Sequence, residues 1–315
     1  MNPKNTLAIT IPTFNRSAIL NTWLEKHARL MQFNGIKIHI QDNFSSDETV
    51  YLLKDWQKKF SNISFAVNKK NLHDKNFEVC LNAVNANYAW LMGDSYLVDN
   101  DLLNKVLSII KKYSPLFIIT NLKGRIKKLN DSFLKPDFVC QRLAGILSCI
   151  SCTIYNKKIL GIIKFKELSW SHFAHTIYIL NELKLRNSKA YWTASSVYTL
   201  PLKKNKRVNW ASTEKVFEIG AKNWIESMDS LKYFNDTSKK KSYRLFSELT
   251  SLFDIKGGLW LRAQGLLTLS AVKFFKVYLK KSAGIKYFLL YIIAVLPIFI
   301  LKNLKKIYYK CFLKF

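Results

Sequence analysis

The sequence predicts an α/β protein: a mostly parallel sheet flanked by helices, followed by a helical, basic and apolar carboxyl-terminal region. Three observations predict it. Over the first 120 residues, short β-branched runs alternate with helix-length amphipathic stretches, the pattern of βαβ units. From about residue 213 the pattern is helical to the end. Between residues 256 and 315 there are twelve Lys or Arg and no Asp or Glu.

Residues 7–12 (LAITIP) read as a buried strand, and residues 17–31 carry helical spacing at Ile19, Leu20, Trp23, Leu24 and Leu30. Residues 36–41 (IKIHIQ) alternate strictly, as a strand does, and 47–60 repeat the helical pattern with Thr49, Val50, Leu52, Leu53 and Trp56. Strands are predicted at 63–67, 88–92 and 116–120, and helices at 76–85 and 100–112. Right-handed crossovers put the loops that follow the strands on one edge of the sheet, where ligands bind. The middle, 121–212, is less regular. It holds basic loops at 123–128 and 203–207, a strand at 150–155 and a helix at 173–185. The expected division is one domain over 1–212, with 1–120 as its more regular half, and a helical region over 213–315.

A chain of 315 residues with 49% hydrophobic residues buries a core without disulfide staples and is not intrinsically disordered. Five Cys at irregular spacing read as reduced thiols in a cytosolic chain. Cys149 and Cys152 lie in an apolar stretch with no second pair, so packing accounts for them better than zinc. The first ten residues lack a basic segment leading into an apolar one, so no secretory signal is expected. The formal net charge of +29 leaves two partners, nucleic acid or an anionic membrane surface. No helix-turn-helix, zinc-finger or RNA-recognition pattern stands out, which disfavours nucleic acid.

Three loops carry the chemistry. Pro12-Thr13-Phe14-Asn15-Arg16 follows the first strand. Asp42-Asn43-Phe44-Ser45-Ser46-Asp47-Glu48-Thr49 follows the second; Asp47 reads as a helix cap, and Asp42 lies where a nucleotide base or ribose would sit. Gly93-Asp94-Ser95-Tyr96 follows the 88–92 strand, where a carboxylate suits a hard cation bridging phosphates. Asp99 reads first as the cap of the helix starting near Asn100.

With Tyr88-Ala89-Trp90-Leu91-Met92-Gly93-Asp94 and the intervening Asn71-x₄-Asn76, these loops resemble the inverting family 2 glycosyltransferases with the GT-A (Rossmann-like) fold. Within that family the chain looks closest to the abequosyltransferase-like enzymes of surface polysaccharide synthesis. The resemblance implies that 1–120 bind a nucleotide sugar and 121–212 form the acceptor side. It implies donor contacts from Pro12, Thr13, Asn15, Arg16, Asp42, Asn43, Asn76, Asp94 and Ser95, with Asp94 facing the sugar and a divalent metal, Mg2+ or Mn2+. Tyr96 stands where the family usually has a second metal-ligating acid. Three outcomes are open: Asp94 holds the ion alone, Asp99 substitutes, or no metal is used and Arg or Lys neutralises the diphosphate.

Inverting transfer needs a base for the acceptor hydroxyl. The family's usual Glu-Asp pair is absent. The matching region is Glu167-Leu168-Ser169-Trp170-Ser171-His172-Phe173-Ala174-His175, which holds two of the five His. His172 ranks first as base, His175 second and Glu167 third.

Residues 259–281 read as a basic amphipathic helix. Residues 287–301 are uncharged, interrupted by Pro297 and too short for a confident span. The tail is expected to anchor the chain, as a peripheral or monotopic protein, on the cytoplasmic face of the inner membrane. The reading is a glycosyltransferase acting on a glycan or lipid-linked glycan. A non-catalytic homologue and a basic nucleic-acid-binding protein are the alternatives.

Overall fold

The computed structural model describes residues 6–165, 172–201, 210–299 and 301. The chain divides into two compact units. The first comprises Met1–Val139, Ile146–Glu167 and Ala174–Lys203, and the second Cys140–Gly145, Leu168–Phe173 and Lys204–Phe315.

In the first unit the apolar runs form the expected strands: β1 (Leu7–Thr13), β2 (Lys37–Asp42), β3 (Ile63–Val67) and β4 (Tyr88–Leu91). They lie side by side in the order β3-β2-β1-β4, all parallel. The crossovers are α1 (Ser17–Phe33), α2 (Thr49–Lys59) and α3 (Lys75–Ala83). Ile9, Ile11, Trp23, Leu24 and Trp90 are all fully buried. Each large apolar side chain withdrawn from water in this way stabilises the fold by about 1.5–3 kcal/mol. Thr10 Oγ1 donates to Cys80 O at 3.0 Å and ties α3 to β1.

Beyond β4 the sheet departs from the expectation of mostly parallel pairing. Its further strands are β5 (Tyr96–Leu97), β6 (Phe117–Leu122), β7 (Ser132–Leu134), β8 (Thr153–Asn156) and β9 (Ala190–Thr199). The order continues β4-β8-β6-β9-β5, with β7 also on β9. β8 is antiparallel to both β4 and β6, and β9 is antiparallel to β5 and β7 but parallel to β6. The sheet is therefore mixed. Side-chain alternation marks a strand but carries no sign of its direction. The helices here are α4 (Asn100–Tyr113), α5 (Pro136–Leu147), part of which belongs to the second unit, α6 (Lys157–Leu160) and α7 (Ala174–Leu185).

The described part of the second unit is helical. A π-helical turn at Glu218–Asn223 runs into α8 (Trp224–Asp229), followed by α9 (Asp236–Thr250) and α10 (Ile255–Ala263). Trp224 stacks on Phe246 at 4.2 Å. The single basic helix expected over 259–281 is instead broken into α10, α11 (Leu269–Phe274) and α12 (Lys276–Ala283). Gly265 has φ +80° and ends the first piece, and the Thr268 hydroxyl caps the next by accepting from Ala271 N at 3.1 Å. The uncharged run forms α13 (Tyr287–Val295), which stops short of Pro297. Its Leu290, Ile293 and Ala294 are buried, while Phe288, Leu289, Ile292 and Val295 are exposed. Among the described residues no helix is long and apolar enough to cross a membrane.

Candidate active site

The carboxyl edge of β1, β2 and β4 gathers the three loops. Arg16 stands at the N-cap position of α1. Its Nη1 lies 3.0 Å from Asp94 Oδ1, and its Nη2 donates to Ser95 Oγ at 2.8 Å. Ser95 Oγ lies 3.1 Å from Asp94 Oδ1 and closes the triangle. The Asp94 side chain is 3% exposed and that of Arg16 35%. Burial pushes the Asp94 carboxyl above its ordinary range, opposed by the Arg16 charge and by the Ser95 and Thr13 hydroxyls. Asp94 Oδ2 and the Thr13 hydroxyl are buried and make no full hydrogen bond, although the Thr13 hydroxyl lies close enough to the Asp94 carboxyl to favour its charged form. A buried carboxylate oxygen left bare costs on the order of 1–3 kcal/mol, a cost that a bound cation or hydrogen-bond donor would remove.

Asp42 ends β2 and is fully buried. Its Oδ2 accepts from Ser45 N at 2.9 Å and its Oδ1 from Ser45 Oγ. Ser45 Oγ in turn accepts from Asn15 N at 2.8 Å, and Asn15 Oδ1 accepts from Ser46 N at 2.8 Å. Asp42 thus shapes the loop and binds the first loop to the second. Asp47 adds a further tie: its Oδ2 accepts from Ser17 N at the start of α1, and its Oδ1 from Thr49 N at the start of α2. Asn15 and Phe44 both take positive φ, +51° and +70°. That is ordinary for Asn and strained for Phe. The loops present two exposed rings, Phe14 at 40% and Phe44 at 55%. Neither ring was singled out from sequence; an aromatic next to a turn residue was the available signal.

Asn43 and Asn76 are buried in an amide network. Asn43 Oδ1 accepts from Leu72 N and Asn68 Nδ2, while its Nδ2 donates to Asn71 Oδ1. Asn76 Oδ1 accepts from Asn68, and its Nδ2 donates to Gln41 O. Both amides hold the 68–73 loop in place. Pro12 lies in β1, in register with Gln41.

Asp99 is the N-cap of α4, accepting from Leu102 N at 2.8 Å, and is exposed. Tyr96 is held by its backbone, with its carbonyl accepting from Trp23 Nε1 at 2.7 Å. Among the described residues no group of three or more His, Cys, Asp or Glu could hold a metal. The donor set at this corner is the single bare oxygen of Asp94. It fits one ligand position of a Mg2+- or Mn2+-like ion that takes its other oxygens from phosphates and water.

His175 lies inside α7 and is buried, with its ring edge-on to Phe77 at 5.9 Å. Burial pulls its pKa down to about 4. It is a packed core histidine. His172 belongs to the second unit and is exposed, and the Asn223 amide nitrogen lies 3.1 Å from its Nδ1. Turning that amide over would put its carbonyl on Nδ1–H and leave Nε2 with a free lone pair, the arrangement a proton acceptor needs. Glu167 lies outside the described residues. No disulfide joins the described cysteines. Between Cys149 and Cys152, Ser151 accepts from Gly93 N at its hydroxyl and from Trp90 Nε1 at its carbonyl, supporting the Asp94 loop from below.

The guanidinium–carboxylate pair lies at the carboxyl edge of the parallel strands, the edge at which α/β sheets bind their ligands. Residues 8–174 match the family model "Glycosyl transferase family 2". The chain belongs to that family and is a glycosyltransferase. It is similar in fold to S. aureus TarS 1–349 in complex with UDP-GlcNAc, at 13% identity and TM-score 0.58, over 97% of this chain and 92% of that one. It is likewise similar to the mannosyltransferase PcManGT from Pyrobaculum calidifontis in complex with GDP-Man and Mn2+, at 10% identity and TM-score 0.54, over 97% and 88%. No curated protein matches the sequence.

Proposed function

We propose that this chain transfers one sugar from a nucleotide diphosphate sugar to a glycan acceptor, with inversion at the anomeric carbon. The observation that carries this reading is the Arg16–Asp94–Ser95 triangle with Asp94 Oδ2 bare. Arg16 and Ser95 bind the diphosphate, and Thr13 and Asn15 line the nucleotide side. Asp42, through Ser45, fixes the loop against which the base rests. Asp94 Oδ2 would hold a divalent ion, which would supply positive charge to the leaving diphosphate. TarS and PcManGT carry nucleotide diphosphate sugars in their complexes, the latter with Mn2+, which supports this donor class. His172 takes the proton of the acceptor hydroxyl.

The finer reading is an abequosyltransferase-like enzyme that extends a lipid-linked glycan in surface polysaccharide synthesis, on the cytoplasmic face of the inner membrane. Its support is the exposed apolar face of α13 beside exposed Lys273, Lys276, Lys280 and Lys286, in a segment without acids. An exposed apolar face in a lysine-rich segment suits an anionic lipid surface. The test is calorimetric titration of the full chain with UDP, GDP, dTDP and CDP sugars in Mg2+ and Mn2+. Saturable binding of one nucleotide class supports the reading, and binding of none contradicts it.

A further inference from the structure

One stripe of α1 grips the acid loop residue by residue. Positions 16, 23 and 27 follow one another at intervals of seven and four, so they share a face of the helix. Arg16 holds Asp94 and Ser95. Trp23 Nε1 donates to Tyr96 O at 2.7 Å. His27 Nε2 accepts from Val98 N at 3.1 Å. The two rings stack at 4.3 Å with 17° between their planes, and both are buried.

The geometry points to His27 as a positioning residue for sugar transfer: with Trp23 it locks the 94–98 loop so that Asp94 and Ser95 are already aimed before the donor arrives. The chemistry of the ring specifies the lock. His27 Nδ1 lies 2.9 Å from Trp23 O, a carbonyl that can only accept. Nδ1 therefore carries the proton, and Nε2 keeps the lone pair that Val98 N–H needs. The same Nε2 is 3.2 Å from Val98 O, so a proton placed there would trade one contact for the other and strand the Val98 amide. Burial holds the ring below its ordinary pKa, which keeps it neutral. Asp94 has one oxygen that makes no full hydrogen bond and depends on Arg16, Ser95 and Thr13 for direction. A loop free to drift would surrender the preorganisation that makes such a carboxylate useful.

This inference rests on the reading of Asp94 as a donor-facing acid. The experiment uses the full chain as intact protein, His27→Phe, His27→Gln, Trp23→Phe and Asp94→Asn. It measures hydrogen exchange of the 92–99 segment by mass spectrometry, with β2 as internal control, and calorimetric affinity for UDP, GDP, dTDP and CDP in Mg2+ and Mn2+. Phe keeps the stack but has no acceptor, so His27→Phe should raise 92–99 exchange about tenfold or more and weaken nucleotide binding about tenfold. Exchange in β2 should not change. His27→Gln offers a carbonyl oxygen to Val98 N–H and should bring both readouts back to within about threefold. Trp23→Phe should loosen the same segment.

If His27→Phe leaves both exchange and affinity as in the intact chain, the inference is overturned. Loss of protection without any change in affinity also overturns it, because the lock then serves the fold alone. If Asp94→Asn binds with undiminished affinity the nucleotide that the intact chain binds, or the intact chain binds none of the four, the donor reading fails and the positioning role falls with it. If Asp94→Asn loses affinity while His27→Phe does not, the donor reading stands and the positioning role alone is wrong.

Discussion

Arg16 Nη1 and Asp94 Oδ1, 3.0 Å apart, join the N-terminus of α1 to the loop that leaves β4. The pair is asymmetric: the guanidinium is one-third exposed and the carboxylate nearly sealed. Removing the cation would strand the acid, whereas removing the acid leaves a cation that can reach water. Arg16→Ala should therefore cost about 1–3 kcal/mol in urea unfolding at neutral pH. Asp94→Ala should cost less, and Arg16→Ala combined with Asp94→Ala should be more stable than Arg16→Ala alone. Additive losses in the double variant would show that the pair is not coupled.

The buried ring of His175 makes a statement about pH. At pH 7 the ring is neutral in both native and unfolded chains. Below its ordinary pKa of 6.5 the unfolded chain takes up a proton that the native ring refuses until about pH 4. Stability is therefore full above pH 6.5 and falls as pH drops through that window. Fully developed, the loss is about 3 kcal/mol at ~1.4 kcal/mol per pKa unit. His175→Gln should lose less stability than the intact chain between pH 7 and about pH 4.5, read from urea midpoints. An identical slope in both proteins would contradict the assignment.

For the base, His172→Ala should lower turnover by about two to four orders of magnitude at saturating substrates, with nucleotide affinity unchanged. His175→Gln should keep turnover at pH 7, where the native fold is intact. Replacing Asn223 by Ala should lower turnover, because its amide contacts His172 Nδ1 and orients the ring. Turnover equal to that of the intact chain would show that Asn223 does not position the ring, and near-normal turnover in His172→Ala would show that His172 is not the base.

The exposed face of α13 should carry the lipid contact. Phe288→Glu combined with Ile292→Glu should abolish sedimentation with vesicles containing anionic lipid while leaving donor binding intact. At about 1 kcal/mol for each basic residue near the surface, the lysines beside it should make attachment of the unaltered chain weaken steeply with salt. Undiminished sedimentation of the double variant would place the contact elsewhere.

The first half of the fold was legible because its signals are local. β1, β2 and β3 alternate or run apolar, and the residues picked for α1 and α2 lie on buried or half-buried faces. The mixed sheet was not legible, because strand direction leaves no mark on side-chain order. β9 was missed because Thr193-Ala194-Ser195-Ser196 interrupts its apolar pattern just where β6 shifts register. The break after α10 was readable in Gly265 and Thr268, yet the apolar residues on either side masked it. In the candidate site, the acid after β4 and the Arg of the first loop were visible one by one. Their pairing was not, nor was the grip of Trp23 and His27 on Tyr96 and Val98, because those contacts join residues about seventy positions apart. Asp42 was visible as an acid directly after an apolar strand, but its engagement by Ser45 emerges only from the turn.

The central claim is that Asp94, aimed by Arg16 and Ser95, acts on the activated sugar. The most direct measurement is single-turnover release of nucleotide diphosphate from the sugar donor that binds, by the intact chain and by Asp94→Asn. The intact chain should release it, and Asp94→Asn should be slower by at least two orders of magnitude, on the scale of a lost preorganised electrostatic contact, while keeping the intact chain's circular dichroism. Release by Asp94→Asn at the intact rate would contradict the claim.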